Sequence, residues 1–223
     1  LLLLEPHMSA TIIIFLVGAT VMFVGGTRLF WFVSGGGFVA IAFFIITVLF
    51  PYMSTRIQTW RDPFSHMQGT GYQIVQSLYA IGSGGMFGLG LGQSRQKNLY
   101  LPEEHNDFIF SVVCEELGFV GALVILILFV LLITRGYWIA LHCRDRYSFL
   151  VATGISTLLA IQVALNVAVV TNTIPCTGIS LPFFSYGGTA LWIELTEMGI
   201  LLSISRDVPT VPSGRKRGKH SGE

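Results

Sequence analysis

Apolar positions in this chain come in long blocks rather than in alternation. Five runs, at about residues 10–27, 31–50, 108–134, 147–172 and 185–205, contain no Lys or Arg, apart from the edges of these approximate bounds. Each approaches or exceeds the roughly 20 helical residues that cross ~30 Å of hydrocarbon at 1.5 Å per residue. The runs are about twice the length of a barrel strand and lack its alternating polarity, which excludes a transmembrane barrel. The pattern predicts an all-α fold, a polytopic transmembrane helix bundle of about five spans in which residues 1–223 form a single membrane domain. The opening LLLLEPHMSA has no initiator Met and no charged leading region, so it reads as the tail of a preceding hydrophobic segment rather than as a signal peptide.

Residues 51–107 separate the second and third runs and are too long for a plain connection. Their composition is not that of a disordered loop, since it includes Trp60, Tyr72, Tyr79, Phe87 and Tyr100. Along Gly71–Ala80 and into the next residue, helical spacing of Ile74, Leu78 and Ile81 predicts a short amphipathic or re-entrant helix. Gly82–Gly92 then holds six glycines in eleven residues. That segment has two readings, a flexible hinge or a backbone cradle for diphosphate. It lacks the Gly-Lys-Ser/Thr step and the strand-to-helix setting of a nucleotide loop.

Composition strengthens the membrane reading. The chain is 52% hydrophobic and 11% charged, with a mean hydropathy of +0.70, against about 25% charged residues in soluble domains. The net charge of +1 matters less than its distribution. Arg28, the stretch Arg135–Arg146 and the tail from Arg206 hold nine of the thirteen Lys and Arg, and residues 51–107 hold four. By the positive-inside rule the basic tail, 206–223, is cytoplasmic and the loop 51–107 is extracellular. The RKRGK cluster reads as a solvated tail attracted to the inner leaflet. Cys114, Cys143 and Cys176 are far apart and have neither metal nor redox spacing. His66 and His105 likewise lack metal-ligand spacing.

Candidate chemistry gathers where the loop meets the third run, in YLPEEHNDFIF, Tyr100–Phe110. Asn106 suits a helix N-cap and Asp107 the first turn, where the helix dipole favours an ionised carboxylate. Such a group can serve as a general base, or it can simply cap the helix. Ser111, Glu115 and Gly118 follow Asp107 on one helix face, with Glu115 ~12 Å further along. Acids inside a span are functional candidates; for Glu115 a packing role is the alternative. Glu194 and Glu197, one turn apart in the last run, read as structural, with Gln162 and Asn166 as candidate partners. Arg95 and Lys97 beside the acidic cluster suit a phosphate or diphosphate. Ser185 lies outside any Gly-x-Ser-x-Gly elbow and is no hydrolase nucleophile.

An ordered series of short motifs runs through nearly the whole chain. It begins with Asp62-Pro63-Phe64, Gly71-Tyr72-Gln73 and Gly88-Leu89-Gly90-Leu91-Gly92-Gln93-Ser94. Tyr100-Leu101-Pro102-Glu103, Asp107-Phe108-Ile109-Phe110 and Glu115-Glu116-Leu117-Gly118 follow, then Leu181-Pro182 and Ser185-Tyr186-Gly187-Gly188. In this the chain resembles the SEDS family (shape, elongation, division and sporulation), the FtsW, RodA and SpoVE proteins, and most closely the FtsW/SpoVE branch. The resemblance implies the last half of a ten-span membrane glycosyltransferase that polymerises lipid II into peptidoglycan glycan strands. It implies that Asp107 is catalytic, deprotonating the acceptor's 4-hydroxyl while undecaprenyl diphosphate leaves the donor. Gln93, Ser94, Arg95, Lys97, Glu115 and Ser185 are the candidate substrate-binding residues. A class B penicillin-binding protein transpeptidase is the implied protein partner, and the plasma membrane the implied location. No cofactor is evident from the residues, although a divalent cation on the lipid diphosphate is compatible with the chemistry; no nucleic-acid partner is expected. Two other functions fit the same features: a lipid II transporter using the embedded glutamates, and a non-catalytic divisome scaffold.

Overall fold

A computed structural model describes residues 8–28, 30–37, 57–67, 71–94 and 107–208. Among these every regular element is helical. The five main helices are α1 (Met8–Val24), α2 (Tyr72–Gly84), α3 (Ile109–His142), α4 (Arg146–Val170) and α5 (Gly188–Arg206). Residues 30–37 and 57–61 are also helical, and Phe64–His66 form a 3-10 turn. Two helices, α3 with 34 residues and α4 with 25, are long and apolar enough to cross a membrane. The second predicted run is described only as far as residue 37, and the basic tail beyond 208 lies outside the described residues.

α3 extends through much of what the charge pattern marks as a loop. Arg135 lies within the helix, and only Cys143–Asp145 connect α3 to α4. Tyr137–Leu141 continue the apolar run beyond the arginine, whose guanidinium lies 4.1 Å from the Trp138 ring centroid. A cation held on a ring face can remain on a helix end without ending the helix. Asp145 starts α4 by accepting from the Ser148 amide at 3.0 Å.

Small residues let α3 and α4 approach closely. A Cβ at Gly136 would collide with the Ser156 hydroxyl, and Tyr137 and Thr157 hydrogen-bond across the same seam at 2.9 Å. Ile139, Ala140, Ala152, Leu201 and Val208 form a core at the end of the bundle where α3 and α5 finish. At the opposite end Phe108, Phe110, Val112, Cys114, Val169, Val170 and Leu181 pack a second one. α1 lies on α4, with the Arg146 guanidinium donating to the Gly25 carbonyl. Outside these contacts, α3 beyond Gly118 and most of α5 expose Val124, Leu128, Leu131, Trp192, Ile193 and Leu202. Apolar surface on that scale is suited to hydrocarbon or to further helices, not to water.

α2 is buried against α3 and the end of α4 through Ile74, Val75, Ser77, Ala80 and Gly84. Its Ser77 hydroxyl, with no exposed surface, donates to the Val170 carbonyl at 3.0 Å. The loop turn before it is held as well. Trp60 Nε1 donates to the Asn172 carbonyl at 3.0 Å, and the Asn172 amide returns a bond to the Trp60 carbonyl at 3.3 Å.

Candidate active site

α3 is broken at Gly118, whose φ of 69° and ψ of −172° are not helical. The break frees backbone groups on both sides, and the glycine-rich segment takes them up. Leu89 and Gly90 amides donate to the Glu115 and Glu116 carbonyls at 3.0 Å. In return the Phe119 and Val120 amides donate to the Gly85 and Met86 carbonyls at 2.9 and 3.2 Å. Contact this close requires glycine: a Cβ at Gly88 would meet the Glu116 carbonyl, and one at Gly118 would meet the Gly88 amide. Neither reading of the glycines as a hinge or a diphosphate cradle describes this. The amides of Gly88, Leu89 and Gly90 are already committed, to Gly84, Glu115 and Glu116.

Glu115 sits on that break with no exposed surface. Its carboxylate accepts from Ser94 Oγ at 2.5 Å and from Ser83 Oγ at 3.3 Å. The candidate substrate contacts Glu115 and Ser94 are therefore both enclosed, and bonded to each other. Glu116 Oε1 is also buried, without a partner among the described residues. Gln93 is exposed, with its backbone N–H donating to the Gly90 carbonyl at 3.1 Å. Arg95 and Lys97 lie outside the described residues.

Asp107 is half-buried and stands one residue before the N-cap of α3, which is Phe108 rather than Asn106. The helix begins later than the polar pattern suggests because Phe108 and Phe110 enter the core there. The Asp107 carbonyl accepts from Asn166 Nδ2 at 2.9 Å, and the same amide nitrogen donates to the Ile179 carbonyl at 2.7 Å. Gly178, at φ 70°, turns the Ile179 loop against the acid. A Cβ at Gly178 would lie 3.2 Å from Asp107 Oδ2. A carboxylate at a helix mouth, with a glycine as its neighbour on the facing loop, can act on a hydroxyl-bearing substrate.

Ser185 is half-buried and accepts from the Leu181 amide at 2.7 Å, closing the turn that leads into α5. Glu194 accepts from the Phe183 amide at 2.8 Å, in a turn where Phe183 has φ 64°. Asn166 is thus engaged with Asp107 and Ile179, while Glu194 supports the neighbouring turn. The pairing predicted between that amide and the α5 glutamates gives way to these contacts. Among the described residues no three His, Cys, Asp or Glu side chains gather into a metal-holding group. Nothing in the sequence marks Ser83, and Asn166 bonds two carbonyls instead of the α5 glutamates that it was a candidate to meet. A side-chain amide in a largely apolar helix does signal a required hydrogen-bond partner, but not which one.

Fold and site together define an all-helical protein whose apolar bundle gathers its polar groups around the start of one long, broken helix. The chain belongs to the FtsW/RodA/SpoVE family, described as cell cycle proteins, whose profile matches residues 1–209. It is 45% identical over 206 residues to stage V sporulation protein E of Bacillus subtilis, covering 92% of this chain and 56% of that protein. It is 44% identical over 220 residues to a probable peptidoglycan glycosyltransferase FtsW of Trichlorobacter lovleyi, covering 98% of this chain and 58% of that one. The chain thus spans little more than half the length of these relatives. Among solved structures, a chain from a study of structural coordination of polymerization and crosslinking by a peptidoglycan synthase complex superposes with a TM-score of 0.74. The identity is 32%, with 94% of this chain and 59% of that one covered. The rod shape determining protein RodA of Thermus thermophilus matches with a TM-score of 0.60 at 30% identity, over 94% of this chain and 53% of that one.

Proposed function

We propose that this chain carries the catalytic base of a peptidoglycan glycosyltransferase that polymerises lipid II in a bacterial plasma membrane. The observation that carries the reading is the setting of Asp107, a carboxylate at the mouth of α3 facing Gly178, in a chain so similar to FtsW and SpoVE proteins. The Asp107 carboxylate takes the proton of the acceptor's 4-hydroxyl as that oxygen bonds to the donor's anomeric carbon. The bond from that carbon to the diphosphate oxygen breaks, and undecaprenyl diphosphate departs with the electron pair. Arg95 and Lys97, on the loop leading to Asp107, are assigned to the charge of the leaving diphosphate. Glu115 and Ser94 act in this reading by anchoring the start of that loop rather than by touching the sugar.

The same proposal places about five spans of this chain in the bilayer, with residues 51–107 outside and 206–223 inside. It also gives the complete protein a crosslinking partner, a transpeptidase, by analogy with the peptidoglycan synthase complex that it resembles. Of the three glutamates that the transporter reading uses, Glu115 and Glu194 are engaged by serines and by a backbone amide, which leaves half-buried Glu197 as its main support. The test is lipid II polymerisation by the complete protein and by its Asp107→Ala variant in liposomes, alongside lipid II translocation. Loss of glycan strands with translocation unaffected is the expected result. Unchanged polymerisation would overturn the assignment of the base, and loss of translocation alone would revive the transporter.

A further inference from the structure

Asn166 has no exposed surface, and it is set in the second half of α4, where Gln162 is the one other polar side chain. Its amide nitrogen faces two carbonyl oxygens, those of Asp107 and Ile179, at 2.9 and 2.7 Å. Carbonyls only accept, so the chemistry fixes which end of the amide points at them. Both donor hydrogens are thereby used, each on a different segment of chain: one on the approach to α3, the other on the loop between α4 and α5. Asn166 Oδ1 is buried without a partner among the described residues. A buried amide that gives both of its hydrogens to carbonyls of two separate segments ties those segments together.

We propose that Asn166 is a positioning residue for Asp107. It does not touch substrate. It fixes the backbone of the acid and, through Ile179, holds the adjoining Gly178 against the carboxylate. Gly178 lies one residue from Ile179, so movement of the clasped carbonyl carries the Gly178 backbone with it. Loss of the clasp frees the acid on one side and its facing loop on the other at the same time. A general base must meet its proton at hydrogen-bond distance, so sub-ångström placement of this backbone enters the rate rather than the affinity. Ser77 provides a matched contrast. It is equally buried and bonds the Val170 carbonyl near the end of the same helix, but it reaches neither Asp107 nor the Ile179 loop.

The catalytic half of this inference rests on Asp107 being the base, and the experiment separates the two. Asn166→Ala, Asn166→Ser and Ser77→Ala are made in the complete protein, with Asp107→Asn and the double variant Asn166→Ala/Asp107→Asn. Each is read by lipid II polymerisation and by hydrogen exchange at the peptides that contain Asp107 and Ile179. The expected result for Asn166→Ala is faster exchange at both peptides together and a kcat lower by roughly 10- to 100-fold with KM little changed. Asn166→Ser, which keeps one donor, falls between it and the parent; Ser77→Ala leaves kcat and both peptides at parental values. In the Asp107→Asn background, Asn166→Ala costs no further activity. If Asn166→Ala does not fold, the comparison of Asn166→Ser with Ser77→Ala carries the test. Unchanged exchange at the two peptides overturns the clasp whatever the activity. Faster exchange with parental kcat, while Asp107→Asn is inactive, overturns the positioning role. An active Asp107→Asn removes the base assignment and leaves the clasp to be judged by exchange alone.

Discussion

At Glu115 a carboxyl group with no exposed surface rests on two serine hydroxyls, and its surroundings decide what it can do. An enclosed acid with both oxygens engaged is a fastening, and it fastens the point where the glycine segment leaves towards Arg95. The opposite case is Asp62, fully in solvent, which accepts from the Ser65 hydroxyl and from the Ser65 amide at 3.2 Å. Those bonds, the hydroxyl first, hold its carboxyl below the ordinary 3.8. A depressed acid contributes its stabilisation above the unfolded value and loses it as pH falls through the folded one. The turn at Phe64–His66 is therefore expected to keep its order down to pH 3.8 and to loosen below it. Exchange of the Ser65 amide on acidification reads this directly, and protection that does not change with acidification at all would contradict it. Asp107 stood out in the sequence as a carboxylate at the edge of a long apolar run, a position that suits a helix cap as well as a base. The partners of Asn166 did not, because an amide in an apolar helix shows that it needs partners and not where they are.

Helix positions were legible at the level of elements because apolar runs of this length permit little else. α1, α3, α4 and α5 fall on four of the five predicted runs, with their ends shifted by a few residues or, at the end of α3, by about two turns. The break in α3 was not legible. Gly118 in an apolar helix reads as a packing glycine, and only its pairing with residues 85–90, distant in sequence, makes it a discontinuity. The two segments exchange four backbone hydrogen bonds, the donors being Leu89, Gly90, Phe119 and Val120. Gly118→Ala would put a Cβ into the Gly88 amide at a φ of +69°, where both the clash and the left-handed backbone are unfavourable. The expected cost is about 2–4 kcal/mol of stability, read as a lowered Tm of the purified protein in detergent. A Tm at the parental value would show that the break is not as tight as described. Ser83, which bonds Glu115 from the other element of this junction, escaped sequence reasoning for the same long-range reason.

For the whole molecule, the ends of the bundle differ in kind. One carries Arg146, Arg206 and the Gly25 turn; the other carries Asp107, Asn166, Trp60 and the loop from Asn172 to Gly187. If the bilayer lies between them as proposed, a membrane-impermeant maleimide added to intact cells labels Gln58→Cys and not Tyr147→Cys, two exposed positions at opposite ends. The reverse pattern would invert the orientation and remove Asp107 from the outer face. The most direct measurement is the kcat of lipid II polymerisation by the complete protein with Asp107→Asn, which keeps the size of the side chain and removes its basicity. The account predicts a loss of about 10²–10⁴-fold with lipid II binding retained. A kcat within about threefold of the parent would contradict it.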